Sequence, residues 1–503
     1  MNKEPAVKEL KARLKKVASL ASVIAVLDWD QSVNMPTKAT NARGESLSEL
    51  SSIVHAKFLA INEDNLLTKL KKLCDNKKIK GKDAIVVYET WRDYSRATKL
   101  PDEFIRERAT LTTKAHEVWS EAREKNNFKL FLPYLTKIVA LKQKEAEYIG
   151  YTDTPYDALL DVYEPGMKTE EAAKILNDLK DFLIPFLKKI KQSKVKISSK
   201  KTRGVFPIDK QIEFNKFIAS KIGFDFEAGR LDISTHPFTT TFHTNDVRIT
   251  TRYKKSDVLY SLGSTIHETG HGLYEQGLLE EHYGTALSEA ISLGIHESQS
   301  RLWERIIGGG KPFWKYFYPR LQKEFPSPFK TLSFNEFYTI LNEVKPSHIR
   351  TEADEVTYNL HIIIRFEIEK ELIEGTLNPK DLPLVWNSKV KEYLGIDVPT
   401  DTLGVLQDVH WAAGLFGYFP TYTFGNLYSA QFFSTMKKEI PTLTKDFEKG
   451  DFSKAKDWLR KNIHQHGKTY TASVLVKRVT GEDLNSSHFT KYLEEKYKDI
   501  YKL

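Results

Sequence analysis

The sequence predicts a mainly α protein, a single large helical unit with a small β-hairpin set into it. Apolar residues recur three and four apart along almost the whole chain, the spacing of one helix face. No internal repeat, long linker or low-complexity block divides the pattern. Only one stretch, 237–253, alternates instead, with Thr, Phe, Val and Ile at strand spacing. At 503 residues the chain could hold two or three domains by size alone, but the continuity of the helical pattern argues for one unit.

Taken in order, the periodicity predicts helices over 5–27, 42–58, 82–97, 102–125 and 128–149, the last with Leu132, Leu135, Ile138 and Val139 on one side. Tyr163-Glu164-Pro165-Gly166 breaks the run, and Thr169 or Glu170 opens a helix to about 192 that Pro185 should kink. Another helix follows at 207–222. Pro237–His243 and Asp246–Tyr253, joined by Thr244-Asn245, then predict a hairpin. Its free edge could hold an extended peptide, or the hairpin could simply cover the next helix. Helices resume at 256–276 and 283–308 and should continue almost unbroken from 311 to the C-terminus.

Composition narrows the class. Hydrophobic residues at 40% and charged residues at 28% describe a soluble globular protein. The single cysteine, Cys74, excludes an internal disulfide and fits a reducing, cytoplasmic compartment. It lies in Leu70-Lys71-Lys72-Leu73-Cys74 with no catalytic motif around it. The net charge of +9 is concentrated in Lys188–Arg203, with eight basic residues and no acidic one. No nucleic-acid motif accompanies that stretch, so it reads as a solvated, mobile loop, and no nucleic-acid partner is expected. The uncharged run Val17–Leu27 follows Lys15 and Lys16 as in a signal peptide, but it is too short to span a bilayer. Asp28-Trp29-Asp30 follows it in place of a cleavage site. It reads as a buried helix, and no membrane partner is expected.

His267-Glu268-Thr269-Gly270-His271 carries the chemistry. Histidines four apart share one helix face and can hold one metal ion, with Glu268 beside them as a general base toward a metal-bound water. A third ligand is needed, and the 283–308 helix offers Glu289, Glu297 and Glu304. Glu297 and Glu304 differ by only about 20° around a regular helix, so spacing does not separate them. Gly277 and Gly284 flank the connection between the two helices. Gly263, Gly270 and Gly272 each cost ~1 kcal/mol in a helix relative to alanine, which points to something packed close against it. Farther on, Tyr418 or Tyr422 in Gly417–Tyr422 could donate a hydroxyl to a developing oxyanion.

A series of motifs around this pentapeptide resembles, in order, the thermostable (Taq-type) carboxypeptidases, a family of H-E-x-x-H metallopeptidases. They are His236-Pro237-Phe238, Asp246-Val-Arg248-Ile-Thr250, the pentapeptide itself, and His296-Glu297-Ser298-Gln299. Ile349-Arg350-Thr-Glu-Ala353-Asp354 and Gly404-Val-Leu-Gln407-Asp408-Val-His410-Trp411 follow. Upstream, Trp29-Asp30-Gln31 with Met35-Pro36 also looks like the family's N-terminal segment, so the resemblance spans about 29–430.

The resemblance implies Glu297 as the third ligand, zinc as the metal with cobalt able to substitute, and a homodimer. It also implies a large helical fold with a deep groove between two halves and a small sheet along it. The implied activity is release of single C-terminal residues from peptides, with broad preference and poor cleavage next to proline. Arg350 would then grip the free terminal carboxylate, since a guanidinium fork matches carboxylate geometry. Gln407 and His410 would close that end of the groove, with a structural hydrogen-bond network as their other reading. Arg248 would contact substrate or pair with Asp246. Two other functions compete: an oligopeptidase or dipeptidase on a similar scaffold, and a catalytically silent peptide-binding protein.

Overall fold

The computed structural model describes residues 3–503. Its N-terminal part is built from the helices Lys3–Val33, Thr40–Leu59, Leu66–Asp75 and Gly81–Lys99. They close a small core of their own around Leu10, Leu67, Leu70 and Val86, all fully buried, which Leu287 also joins. From Asp102–Glu124 onward the helices share one large core that reaches the last helix, Ser487–Tyr501, with Trp303, Trp314 and Trp386 among its buried side chains.

Most expected helices form within a few residues of their expected ends. The helix Thr169–Gln192 continues through Pro185. The amphipathic Leu66–Asp75 helix was not anticipated; its apolar face is only Leu66, Leu67, Leu70 and Cys74, too short a run to stand out. The Val17–Leu27 run lies within Lys3–Val33 but is not a buried segment: Val23 is 45% exposed and Val26 36%.

The expected hairpin is part of a three-stranded sheet: β1 (Gly229–Ile233), β2 (Thr239–His243) and β3 (Asp246–Thr251). β3 lies in the middle, parallel to β1 with Leu231 opposite Ile249, and antiparallel to β2 with Thr240 opposite Arg248. β1 is five residues of Gly-Arg-Leu-Asp-Ile, whose alternation is too brief to read without its partner. Val247 and Ile249 are fully buried, and β3 packs directly on the helix Val258–Gly277. That helix begins at Asp257, whose carboxylate accepts from the Tyr260 N–H at 3.3 Å.

Two expectations fail downstream. The helix expected over 283–308 begins only at Leu293, because Ser292 caps it by accepting from the Ile295 N–H at 3.0 Å. Before it run two short turns, Glu280–His282 and Ala286–Ser288, which keep Gly284 at a positive φ of 81° against the Lys15 backbone. Past Arg301 the helix widens to π winding over Leu302–Ile307. Nor is the chain unbroken helix after 311. Residues 342–356 and 395–419 are turns and loops, apart from a single 3₁₀ turn at Arg350–Glu352, and they carry Arg350, Gln407, Asp408 and His410.

The basic stretch also departs from expectation. Lys194, Lys196 and Lys200 lie in an exposed loop, but the end of that loop is pinned. Thr202 is buried, Lys201 pairs with Glu336 at 3.1 Å, and Arg203 pairs with Asp257, the cap of the central helix, at 2.6 Å.

Candidate metal centre

Two helices cross at the site with their backbones almost touching. A Cβ on Gly270 would lie 2.6 Å from the Gln299 carbonyl oxygen and 2.6 Å from the Ser300 Cα, so only glycine lets the Val258–Gly277 and Leu293–Arg301 helices meet there. From the other side the helix Pro420–Glu439 presents Gly425, where a Cβ would lie 2.4 Å from the Glu297 Cγ. Gly263 has nothing within 4 Å, so the close-packing argument fails at that position.

This packing brings His267, His271 and Glu297 together. Each offers one ligand atom, and the three atoms lie within 4.8 Å of one another. Glu297 Oε2 is 3.4 Å from His271 Nε2 and 3.7 Å from His267 Nε2. Ligands at about 2.1 Å on a tetrahedral zinc are about 3.4 Å apart, so the donor atoms are already spaced for such an ion. Two imidazoles and one carboxylate form a set that leaves a fourth position open.

Glu304 does something else. Its Oε2 lies 2.8 Å from the far nitrogen of His267, Nδ1. Arg301 donates to that same oxygen at 3.0 Å, and Arg305 pairs with the other oxygen at 2.7 Å. Burial favours the neutral acid, but the two guanidiniums and His267 hold the Glu304 carboxyl well below the usual carboxylate range. An ionised carboxylate behind a ligating histidine fixes its tautomer and ring orientation. Glu289 is excluded from the centre: it is exposed in the loop before the helix and pairs with Lys468.

The other two members of the cluster are held as firmly. The His271 ring stacks on His296 at 4.3 Å between centroids, and His296 is fixed by Glu275 at 2.8 Å. Burial and the proximity of His296 lower His271 to about 4, which keeps it neutral and its lone pair available. Burial opposes ionisation of Glu297, yet His267 and His271 bring it down to about 2. Glu268 is buried, and burial pushes its carboxyl up against the pull of His267. The Thr239 hydroxyl, on β2, donates to Glu268 Oε2 at 2.6 Å. Nothing in the H-E-x-x-H pattern pointed to Thr239, and Glu304, a candidate ligand by its spacing, instead stands behind His267; tertiary packing sets both places.

A second cluster is centred on Asp408. Arg350 donates to its Oδ1 from Nε at 3.1 Å and Nη2 at 3.0 Å, while Arg365 donates to Oδ2 at 2.7 and 2.5 Å. Arg365 is fully buried and Arg350 is 6% exposed. Gln407 accepts from the Arg350 backbone N–H at 3.0 Å, and Tyr358 takes Arg350 Nη1 at 3.1 Å. His410 lies 3.9 Å from Asp408, and its Nε2 is 3.5 Å from the Tyr422 hydroxyl. Tyr418 and Tyr422 have ring centroids 5.3 Å apart, and both feel the charges of Glu297 and Arg350. Burial keeps both phenols protonated, hence able to donate. Arg248 pairs with Asp246 at 3.0 Å and lies over the Trp29 and Phe242 rings, the alternative already weighed for it. Arg365 and Asp408 were not singled out as charges; their partnership depends on a helix meeting a distant loop.

A family model described as carboxypeptidase Taq (M32) metallopeptidase matches residues 9–497. The chain is 40% identical to thermostable carboxypeptidase 1 of Thermus thermophilus, covering 100% of each sequence. It is 39% identical to carboxypeptidase 1 of Bacillus subtilis over 99% of each. Its fold superposes on the crystal structure of an M32 carboxypeptidase from Deinococcus radiodurans with a TM-score of 0.96 at 35% identity, covering 99% of this chain and 100% of that one.

Proposed function

The chain belongs to the carboxypeptidase Taq (M32) metallopeptidase family, and from that premise we propose that it releases residues one at a time from the C-termini of peptides, with a broad preference and poor cleavage next to proline. The observation that carries single-residue release is the charge at Asp408. One carboxylate faces two buried guanidiniums, Arg350 and Arg365, leaving one positive charge without a partner. A substrate's terminal carboxylate would neutralise it, and the planar fork of Arg350 suits that contact.

His267, His271 and Glu297 would hold a divalent ion, zinc by the donor set, with cobalt able to take the same ligands. When bound, the ion supplies Lewis acidity toward the scissile carbonyl and lowers the pKa of water. Glu268 is the general base: it takes a proton from the attacking water and passes it to the leaving nitrogen. Thr239 holds one oxygen of that carboxylate and so orients the other. Gln407 fixes the backbone from which Arg350 extends, and His410 with Tyr422 closes the same end. Tyr418 and Tyr422 are the candidate donors to the developing oxyanion. Arg248 acts through Asp246 and Trp29 to shape the sheet and does not grip substrate.

The chain works as one unit, with two helical halves flanking one groove, and as a homodimer. The buried, unpaired Cys74 supports a cytoplasmic location, and no helix among the described residues is long and apolar enough to cross a membrane. Matched peptides with free and amidated C-termini, followed by mass spectrometry, test the reading. Removal of single residues from the free form alone is expected. Equal cleavage of both forms would point to an oligopeptidase, and binding without any cleavage to a silent peptide-binding protein.

A further inference from the structure

A cavity of about 520 Å³ lies between the N-terminal helix, the β2 end of the sheet and the 283–290 loop. Its relation to the catalytic residues is fixed at two points. Thr239 bonds Glu268, and Thr241, two residues farther along β2, lines the cavity. Two residues of extended strand span about 7 Å, the length of two peptide units. On the other side Glu275 lines the cavity and holds His296, which stacks on His271.

Three features of the walls point to an occupant. The helix Lys3–Val33 offers Ala18, Ala21, Ser22 and Ala25, one face of small residues that leaves room beside β2. Thr244 lines the cavity 5% exposed, and its hydroxyl has no hydrogen-bond partner. The third is charge. Asp93 also lines the cavity, and only longer-range charges act on its carboxylate. Around it Glu89, Asp93 and Glu289 share the ammonium of Lys468 and the guanidiniums of Arg92 and Arg96, both of which also pair with Asp161. With Asp161 counted, four carboxylates meet three cations, which leaves one negative charge in excess. Burial pushes Asp93 up, Lys468 draws it down and Glu289 raises it again, so an added cation would relieve the crowding.

We propose that this cavity receives the part of the substrate upstream of the scissile bond, and that Asp93 there favours a cationic group, either the peptide's own ammonium or a lysine or arginine side chain. The proposal rests on the peptidase reading above and adds to it a substrate class. It also accounts for the uncharged Val17–Leu27 run, whose small side chains form the wall facing β2.

The test uses peptides of two to six residues that share their last two residues. Each is made with a free amine, with an acetylated amine, and acetylated with lysine or norleucine at successive upstream positions. The cation-bearing member of each pair should show kcat/KM about fivefold higher, the effect of one partly solvated ion pair, with the difference shrinking in high salt. Asp93→Asn should bring that ratio close to one. Ala25→Leu, which fills the small-residue wall, should raise KM for the longer peptides more than it lowers kcat. Dependence on acetylation alone assigns the site to the N-terminal ammonium, and rescue by lysine assigns it to side chains. A ratio of one in the wild type, or a ratio unchanged in Asp93→Asn, overturns the proposal. If no peptide is hydrolysed, the peptidase reading fails instead; binding of the same pairs to Glu268→Gln, measured by calorimetry, still reads the subsite without turnover.

Discussion

Glu297 and Glu304 are seven residues apart on one helical run, and what each carboxylate meets separates their roles. Glu297 faces both histidine Nε2 atoms, whereas Glu304 lies behind His267 against two arginines. A regular helix puts the two glutamates on one face, so spacing alone left them equivalent. The π winding over Leu302–Ile307 changes the angle between them, and no propensity in Leu-Trp-Glu-Arg-Ile-Ile announces it. Glu304→Gln should therefore weaken metal binding by about ten- to a hundredfold without removing a ligand, as loss of such an outer carboxylate does. Competition with a coloured chelator measures this; affinity equal to the wild type would exclude the orienting role of Glu304. The histidines and Glu268 were readable because both helix positions and chemistry coincide in five letters. Thr239 was not, since its bond to Glu268 joins a strand to a helix 29 positions away.

At the scale of elements, the sequence located helices well where one apolar face is long, and poorly where caps or tertiary contacts decide. The 283–308 expectation failed because Ser292 caps a later start, and β1 was missed because its ladder partner is not its neighbour. The glycines of the central helix show the limit of composition as a signal. Gly270 stands where two backbones touch, while Gly263, with the same sequence signature, faces open space. Gly270→Ala should force the helices apart and cost about 1–3 kcal/mol, together with metal affinity. Gly263→Ala should stabilise by about 0.5–1 kcal/mol through helix propensity alone. Thermal denaturation of the two variants distinguishes them, and equal shifts would contradict the packing account.

Across the whole molecule, two buried acids tie distant segments together. Glu369 accepts from Tyr156, Trp411 and the Gly417 N–H, which fixes the loop between His410 and Tyr418. Glu164 accepts from Tyr428 and the Gly294 N–H beside the metal helix. Burial pushes both up from the ordinary 4.5 to about 7. A folded value above the unfolded one means that their contribution is fully present below the unfolded value and is lost as pH rises through about 7. The melting temperature should fall over that window, and Glu369→Gln should flatten the fall while lowering stability at acid pH, because an amide nitrogen cannot accept the donors it inherits. A slope unchanged in the variant would remove Glu369 from this role. The helical class, the single run of motifs and the grouping of His267 with His271 were legible before the structure, and the family resemblance added Glu297 to that group. The Asp408 charge cluster and the cavity beside β2 were not, because each joins segments far apart in the chain. The central claim, that Glu268 moves protons at a centre built by His267, His271 and Glu297, is tested most directly by metal analysis and peptide hydrolysis of Glu268→Gln. Metal content equal to the wild type with turnover lowered about a hundred- to ten-thousandfold is the predicted result; full activity, or loss of the metal together with activity, would contradict it.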